Sequence, residues 1–125
     1  MPNLLLVMLG GAFGAGARYL TGSVTLAWFG PGYPWGTLAV NLVGGFLMGM
    51  LISNLVRFGH GGETWRLLLG VGVLGGFTTF SAFSLDAVTM LQRGDWLVAL
   101  GYILLSVIGS IAALGLGLSL TKAIA

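Results

Sequence analysis

Between Asp95 and Lys122 the chain runs without a single charged side chain. About 20 apolar residues suffice for a helix to cross the hydrocarbon core of a bilayer, and this stretch is longer than that. Three other segments match it. The expected spans are residues 3–29, 35–58, 64–91 and 96–121. The cluster Gly30-Pro31-Gly32-Tyr33-Pro34 closes the first, because glycine and proline are the strongest breakers of regular structure. Trp28, Trp35, Trp65 and Trp96 all fall near span ends, where indole rings collect at the membrane–water interface. The expected fold is an all-α membrane protein with four transmembrane helices in one domain over residues 1–125. No Lys or Arg precedes the first apolar run, so that run is expected to be a retained span rather than a secretory signal.

Charged residues make up 6% of the chain, against about a quarter in soluble domains. So little polar surface cannot cover a water-soluble particle, which leaves lipid or further copies of the chain as solvent. The 23 glycines suit this setting, since small residues let helices approach where hydrocarbon supplies no hydrophobic force. Gly10, Gly14 and Ala17 share a face of the first span, and Gly45 and Gly49 form a GxxxG on the second. These stripes are expected where copies meet. The chain has no cysteine, so disulfides and thiolate metal sites are excluded, and the lone His60 among glycines reads as a solvated loop residue. No basic cluster points to nucleic acid. No nucleophile–base pair or metal cluster supports an enzyme.

Four spans place both termini on one side. That side carries Arg57, Arg66 and Lys122; the other carries Arg93, joined by Arg18 if its side chain snorkels outward. Orientation follows the basic-residue difference between sides, and here the difference is small. It fits a weak preference for one orientation, or insertion both ways up with assembly into an antiparallel dimer.

Polar groups within a span are costly, so each is a functional candidate. Asn41 reads as an interhelical hydrogen-bonding residue or as an amide facing a pore, with Thr37 one turn earlier on the same face. Arg18 reads as a snorkelling anchor or as a charge that draws anions into a vestibule. Asp86 either pairs with a cation or lines a wet vestibule. Tyr102, Ser106 and Ser110 recur four residues apart on the fourth span, which makes one stripe of hydroxyls on a helix of 3.6 residues per turn. They either bond back to carbonyls one turn earlier or form a polar track. The third span holds Gly75-Gly76-Phe77-Thr78-Thr79, a poor sequence for an uninterrupted helix. A break over residues 75–79 is expected mid-membrane, where irregular backbone must be buried in protein or line a cavity. Phe80 and Phe83 follow, three residues apart; they either pack in the bundle or, since ring edges carry positive partial charge, face an anion.

The run Gly75-Gly76-Phe77-Thr78-Thr79-Phe80-Ser81-Ala82-Phe83-Ser84 resembles the signature of the Fluc (CrcB-type) fluoride channels. Gly36-Thr37-Leu38-Ala39-Val40-Asn41-Leu42 resembles their second motif, Gly10-Gly11 with Arg18 their first span, and Tyr102, Ser106 and Ser110 their fourth. The resemblance implies passive fluoride export across the cell inner (plasma) membrane by an antiparallel, dual-topology homodimer with two pores. It implies a structural Na+ at the dimer centre, held by the backbone carbonyls of Gly75 and Thr78. Asn41, Phe80, Phe83, Tyr102, Ser106 and Ser110 would line the pores, with Arg18 near a vestibule. Ala82 stands where the family often carries threonine. Two rival classes are a small multidrug exporter, which needs an acid that the first span lacks, and a non-transporting accessory subunit, which leaves the hydroxyl stripe and the break unexplained.

Overall fold

The computed structural model describes residues 2–58 and 62–124; the expectation for His60 falls outside them. Among the described residues the structure is helical, with no strand. We number the helices α1 (Asn3–Phe29), α2 (Trp35–Phe58), α3 (residues 62–77), α4 (Phe80–Gln92) and α5 (Trp96–Ile124). Helices α3 and α4 form one interrupted span, so four passes are long and apolar enough to cross a membrane.

The turns follow from local chemistry. Gly30 ends α1 with φ 78° and returns its N–H to the Leu26 carbonyl at 2.9 Å. Gly94 ends α4 with φ 85°; its N–H bonds the Leu91 carbonyl, and the Asp95 N–H bonds the Met90 carbonyl. That pair of bonds is a Schellman motif, which needs the left-handed backbone that glycine adopts without steric cost.

Glycines set the packing. On α2, Gly45 and Gly49 lie against the backbone of α5: an added Cβ would stand 2.9 Å from the Ser110 carbonyl oxygen at Gly45 and collide with the Leu114 carbonyl at Gly49. Gly117 of α5 answers them against the Phe46 carbonyl. On α1, Gly10 and Gly14 are buried against the Leu68 and Val73 carbonyls of α3. Both stripes therefore close the subunit on itself, and neither marks where copies meet. The reason is that the neighbouring helices of the same chain already fill the space that a missing side chain leaves.

The third span departs from the expected outline in two ways. Residues Arg66–Leu74 are wound as a π-helix, and the Gly75 N–H reaches the Gly70 carbonyl five residues back. The break is also narrower than residues 75–79. Gly75–Phe77 stays helical, and only Thr78 (φ −84°, ψ 157°) and Thr79 (φ −151°, ψ 124°) are extended. Gly76 serves close approach rather than unwinding, since a Cβ there would stand 2.7 Å from the Gly11 carbonyl oxygen. The β-branched threonines carry the extended turn, a backbone that suits them better than a helix does.

Candidate functional site

Side chains from two helices hold the break. The Asn41 carboxamide of α2 donates from Nδ2 to the Thr79 carbonyl at 3.0 Å and accepts the Thr79 N–H on Oδ1 at 2.9 Å. From α1, Arg18 Nε donates to the Gly76 carbonyl at 3.1 Å. The guanidinium thus turns toward the break instead of snorkelling outward. Thr79 Oγ1 caps α4 by accepting the Ala82 N–H at 3.2 Å, the usual service of threonine before a helix. Among the described residues no donor is placed on the Gly75 or Thr78 carbonyls.

Beyond the break, Phe80 and Phe83 face different surroundings. Phe83 is 8% exposed and packs in the core with Leu38, Ala87, Met90, Ala99 and Tyr102. Phe80 is 77% exposed, with its ring centroid 5.5 Å from that of Phe83. Asn41, Thr78, Thr79, Phe80, Phe83 and Ser110 line a cavity of about 440 Å³. Its outer wall includes Val107 and Ile111, which are exposed on the subunit surface.

The hydroxyl stripe of α5 meets this cavity at one residue only. Ser110 lines it, and Ser106 and Tyr102 are buried one and two turns earlier. Thr21, Thr25, Thr78, Ser84, Thr89 and Thr121 all bond back to carbonyls of their own helix. Ser106 does not. Among the described residues its Oγ is the buried side-chain polar atom with no partner, and such an atom costs about 1–3 kcal/mol. Replacing Ser106 with alanine is accordingly expected to raise the melting temperature. A loss of stability would show that the hydroxyl has a structural partner after all.

Tyr102 Oη donates to Asp86 Oδ2 at 3.1 Å, and the Tyr102 ring meets Phe83 at 5.3 Å and Tyr33 edge-on at 5.6 Å. Burial raises the Tyr33 phenol in the α1–α2 connection above its ordinary pKa. Asp86 opens onto a second cavity of about 360 Å³ with Thr25, Thr37, Thr89 and Arg93 at the connection side of the bundle. Sequence reasoning left Asp86 without a partner; its spacing to Tyr102 crosses two helices and a turn, so no local pattern signals the pair. A third cavity, about 420 Å³, brings Arg18 beside Thr37, Thr79 and Ala82. Ala82 thus sits on the Arg18 side of α4, away from the phenylalanine pair. No group of three or more His, Cys, Asp or Glu residues gathers among the described residues, so side-chain ligands offer no metal centre there.

The family model described as CrcB-like protein, Camphor Resistance (CrcB), matches residues 5–118. The chain belongs to the CrcB family. Relatives named fluoride-specific ion channel FluC include one from Phenylobacterium zucineum, 57% identical over 123 residues, covering 98% of this chain and 97% of the relative. Another, from Mesorhizobium japonicum, is 55% identical over 124 residues and covers 99% of each chain. A third, from Sphingopyxis alaskensis, is 53% identical over 122 residues, covering 98% of this chain and 97% of the relative. The CrcB relatives match end to end, so the break, the α5 stripe and both glycine seams lie within the shared region. The relatives' names describe ion channels; this chain belongs to their family and is a multi-pass membrane protein with four passes long and apolar enough to cross a bilayer.

Proposed function

We propose that the protein is a fluoride-selective channel of the inner (plasma) membrane that lets fluoride leave the cell passively and so lowers its cytoplasmic level. The observation that carries this reading is the line of donors along α5. It starts at the Asp86 mouth, where Tyr102 donates a hydrogen bond to the carboxylate, and continues in helical register through the unpartnered Ser106 to Ser110, which lines the phenylalanine cavity at the break. Fluoride is small and holds its water tightly. A passage must replace that water with donors, yet bind weakly enough to release the ion. Hydroxyls and the edges of Phe80 and Phe83 form such a graded set without a fixed cation on the path. The names of the relatives point to the same ion.

The working unit is an antiparallel homodimer of subunits inserted both ways up. Physical support comes from the break itself: the extended Thr78–Thr79 turn is only half-buried in the isolated subunit, between an exposed Gly75 and an exposed Phe80, and irregular backbone does not face lipid at membrane depth. A second copy would cover it. The free carbonyls of Gly75 and Thr78 fit a structural Na+ there, since hard cations take oxygen ligands in numbers that one subunit cannot supply. Two copies would double the set at the dimer centre. That ion would hold the dimer and would not be transported; breaks that fail to meet at mid-membrane would exclude it.

Fluoride efflux from liposomes carrying the purified protein tests the reading. Fast fluoride release is expected with chloride retained. Chloride release at a comparable rate would contradict it.

A further inference from the structure

We propose that Asn41 is a positioning residue, whose carboxamide fixes the Thr78–Thr79 peptide and through it aims the Thr78 carbonyl and seats Phe80. The contact has the form of a strand pair: one group gives a donor and an acceptor to a single residue, and Thr79 has the extended φ and ψ of a strand. Thr78 keeps its helical bond to the Leu74 carbonyl, but Thr79 has lost its own, and its half-buried N–H and C=O need partners. The amide supplies both.

Peptide planarity gives the contact its reach. The Thr79 N–H and the Thr78 C=O belong to one rigid plane and point in opposite directions. Holding the N–H on Asn41 Oδ1 therefore aims the Thr78 carbonyl away from α2. The Thr79 C=O shares the next plane with the Phe80 N–H, so the Nδ2 bond sets the first residue of α4. The support is stiff, because α2 is seated backbone to backbone on α5 at Gly45 and Gly49. Arg18 holds the Gly76 carbonyl on the other flank of the turn. With its oxygen and one of its two N–H groups held at Thr79, the amide acts on permeation through the backbone rather than by grasping the ion.

This inference rests on the reading of the Gly75 and Thr78 carbonyls as cation ligands, and the experiment separates the two. Fluoride efflux from liposomes is measured for the wild type and Asn41→Ala while Na+ is varied, with Asn41→Gln as a variant that keeps the amide at longer reach. In parallel, hydrogen exchange of the Thr79 amide is followed in threonine-labelled protein. Loss of two hydrogen bonds is expected to raise the half-saturating Na+ concentration of Asn41→Ala about tenfold. Flux should recover at high Na+, Asn41→Gln should lie between, and Thr79 should lose its protection in Asn41→Ala alone. Flux lost at every Na+ concentration with an unchanged midpoint would overturn the proposal and make Asn41 a direct ligand of the anion. If wild-type flux ignores Na+, the cation reading fails, and Thr79 exchange decides by itself: protection that Asn41→Ala abolishes supports the positioning role, and an unprotected Thr79 in the wild type overturns it. If neither variant can be purified folded, the same wild-type exchange measurement decides.

Discussion

Phe80→Ile is expected to cut fluoride efflux by about thirtyfold, the equivalent of about 2 kcal/mol for an aromatic electrostatic contact in a dry site. Isoleucine keeps the apolar bulk but lacks the positive ring edge that a small anion would meet. Phe80 suits the experiment because it is largely exposed on the subunit and takes no part in its buried core. The variant should elute as the same assembly and melt within a few degrees of the wild type. Phe83 is a poorer choice, because it packs on Tyr102 within the core and its replacement would disturb folding as well. Unchanged efflux in Phe80→Ile would remove this ring from the proposed path.

The second large effect is on assembly of the subunit itself. Gly14→Val should abolish recovery of folded protein. The new Cβ would collide with the Val73 carbonyl and lie 2.8 Å from the Phe77 nitrogen. The three nearest atoms are all backbone, so no side-chain rotation relieves the overlap, and α1 must move off α3. Overpacking costs about 1–3 kcal/mol even where side chains yield, and this site has none to yield. The same shift would withdraw Arg18 from the Gly76 carbonyl. Gly115→Ala is the matched control, since nothing lies within 4 Å of a Cβ there. Yield and monodispersity after extraction in mild detergent would show the difference. A well-folded Gly14→Val would mean that α1 and α3 are not in the contact described.

The four spans were legible because they depend on run length and on breakers such as Gly30-Pro31 and Gly94, which act locally. The break was legible in place but not in extent. Threonine's preference for extended backbone located it at Thr78-Thr79, whereas Gly75 and Gly76 resembled unwinding signals. A glycine needed for close approach and a glycine needed for unwinding look alike in a sequence. The same ambiguity sent Gly10, Gly14, Gly45 and Gly49 to a contact between copies, when they meet α3 and α5 of their own chain. The polar candidates were found singly by their cost in a membrane, but their partners were not. Arg18 with Gly76, Asn41 with Thr79 and Asp86 with Tyr102 are all pairings across helices. Such pairings depend on how helices are rotated against each other, and residue spacing along one helix says nothing of that.

Fluoride selectivity is tested most directly by the reversal potential of a planar bilayer holding the purified protein, with fluoride and chloride present on both sides in opposing gradients. Current should reverse at a potential that fluoride alone sets, shifting by about 59 mV for each tenfold change in fluoride, as for a single carried charge. A potential that follows chloride, or that stays put as fluoride is varied, would contradict a fluoride-selective path.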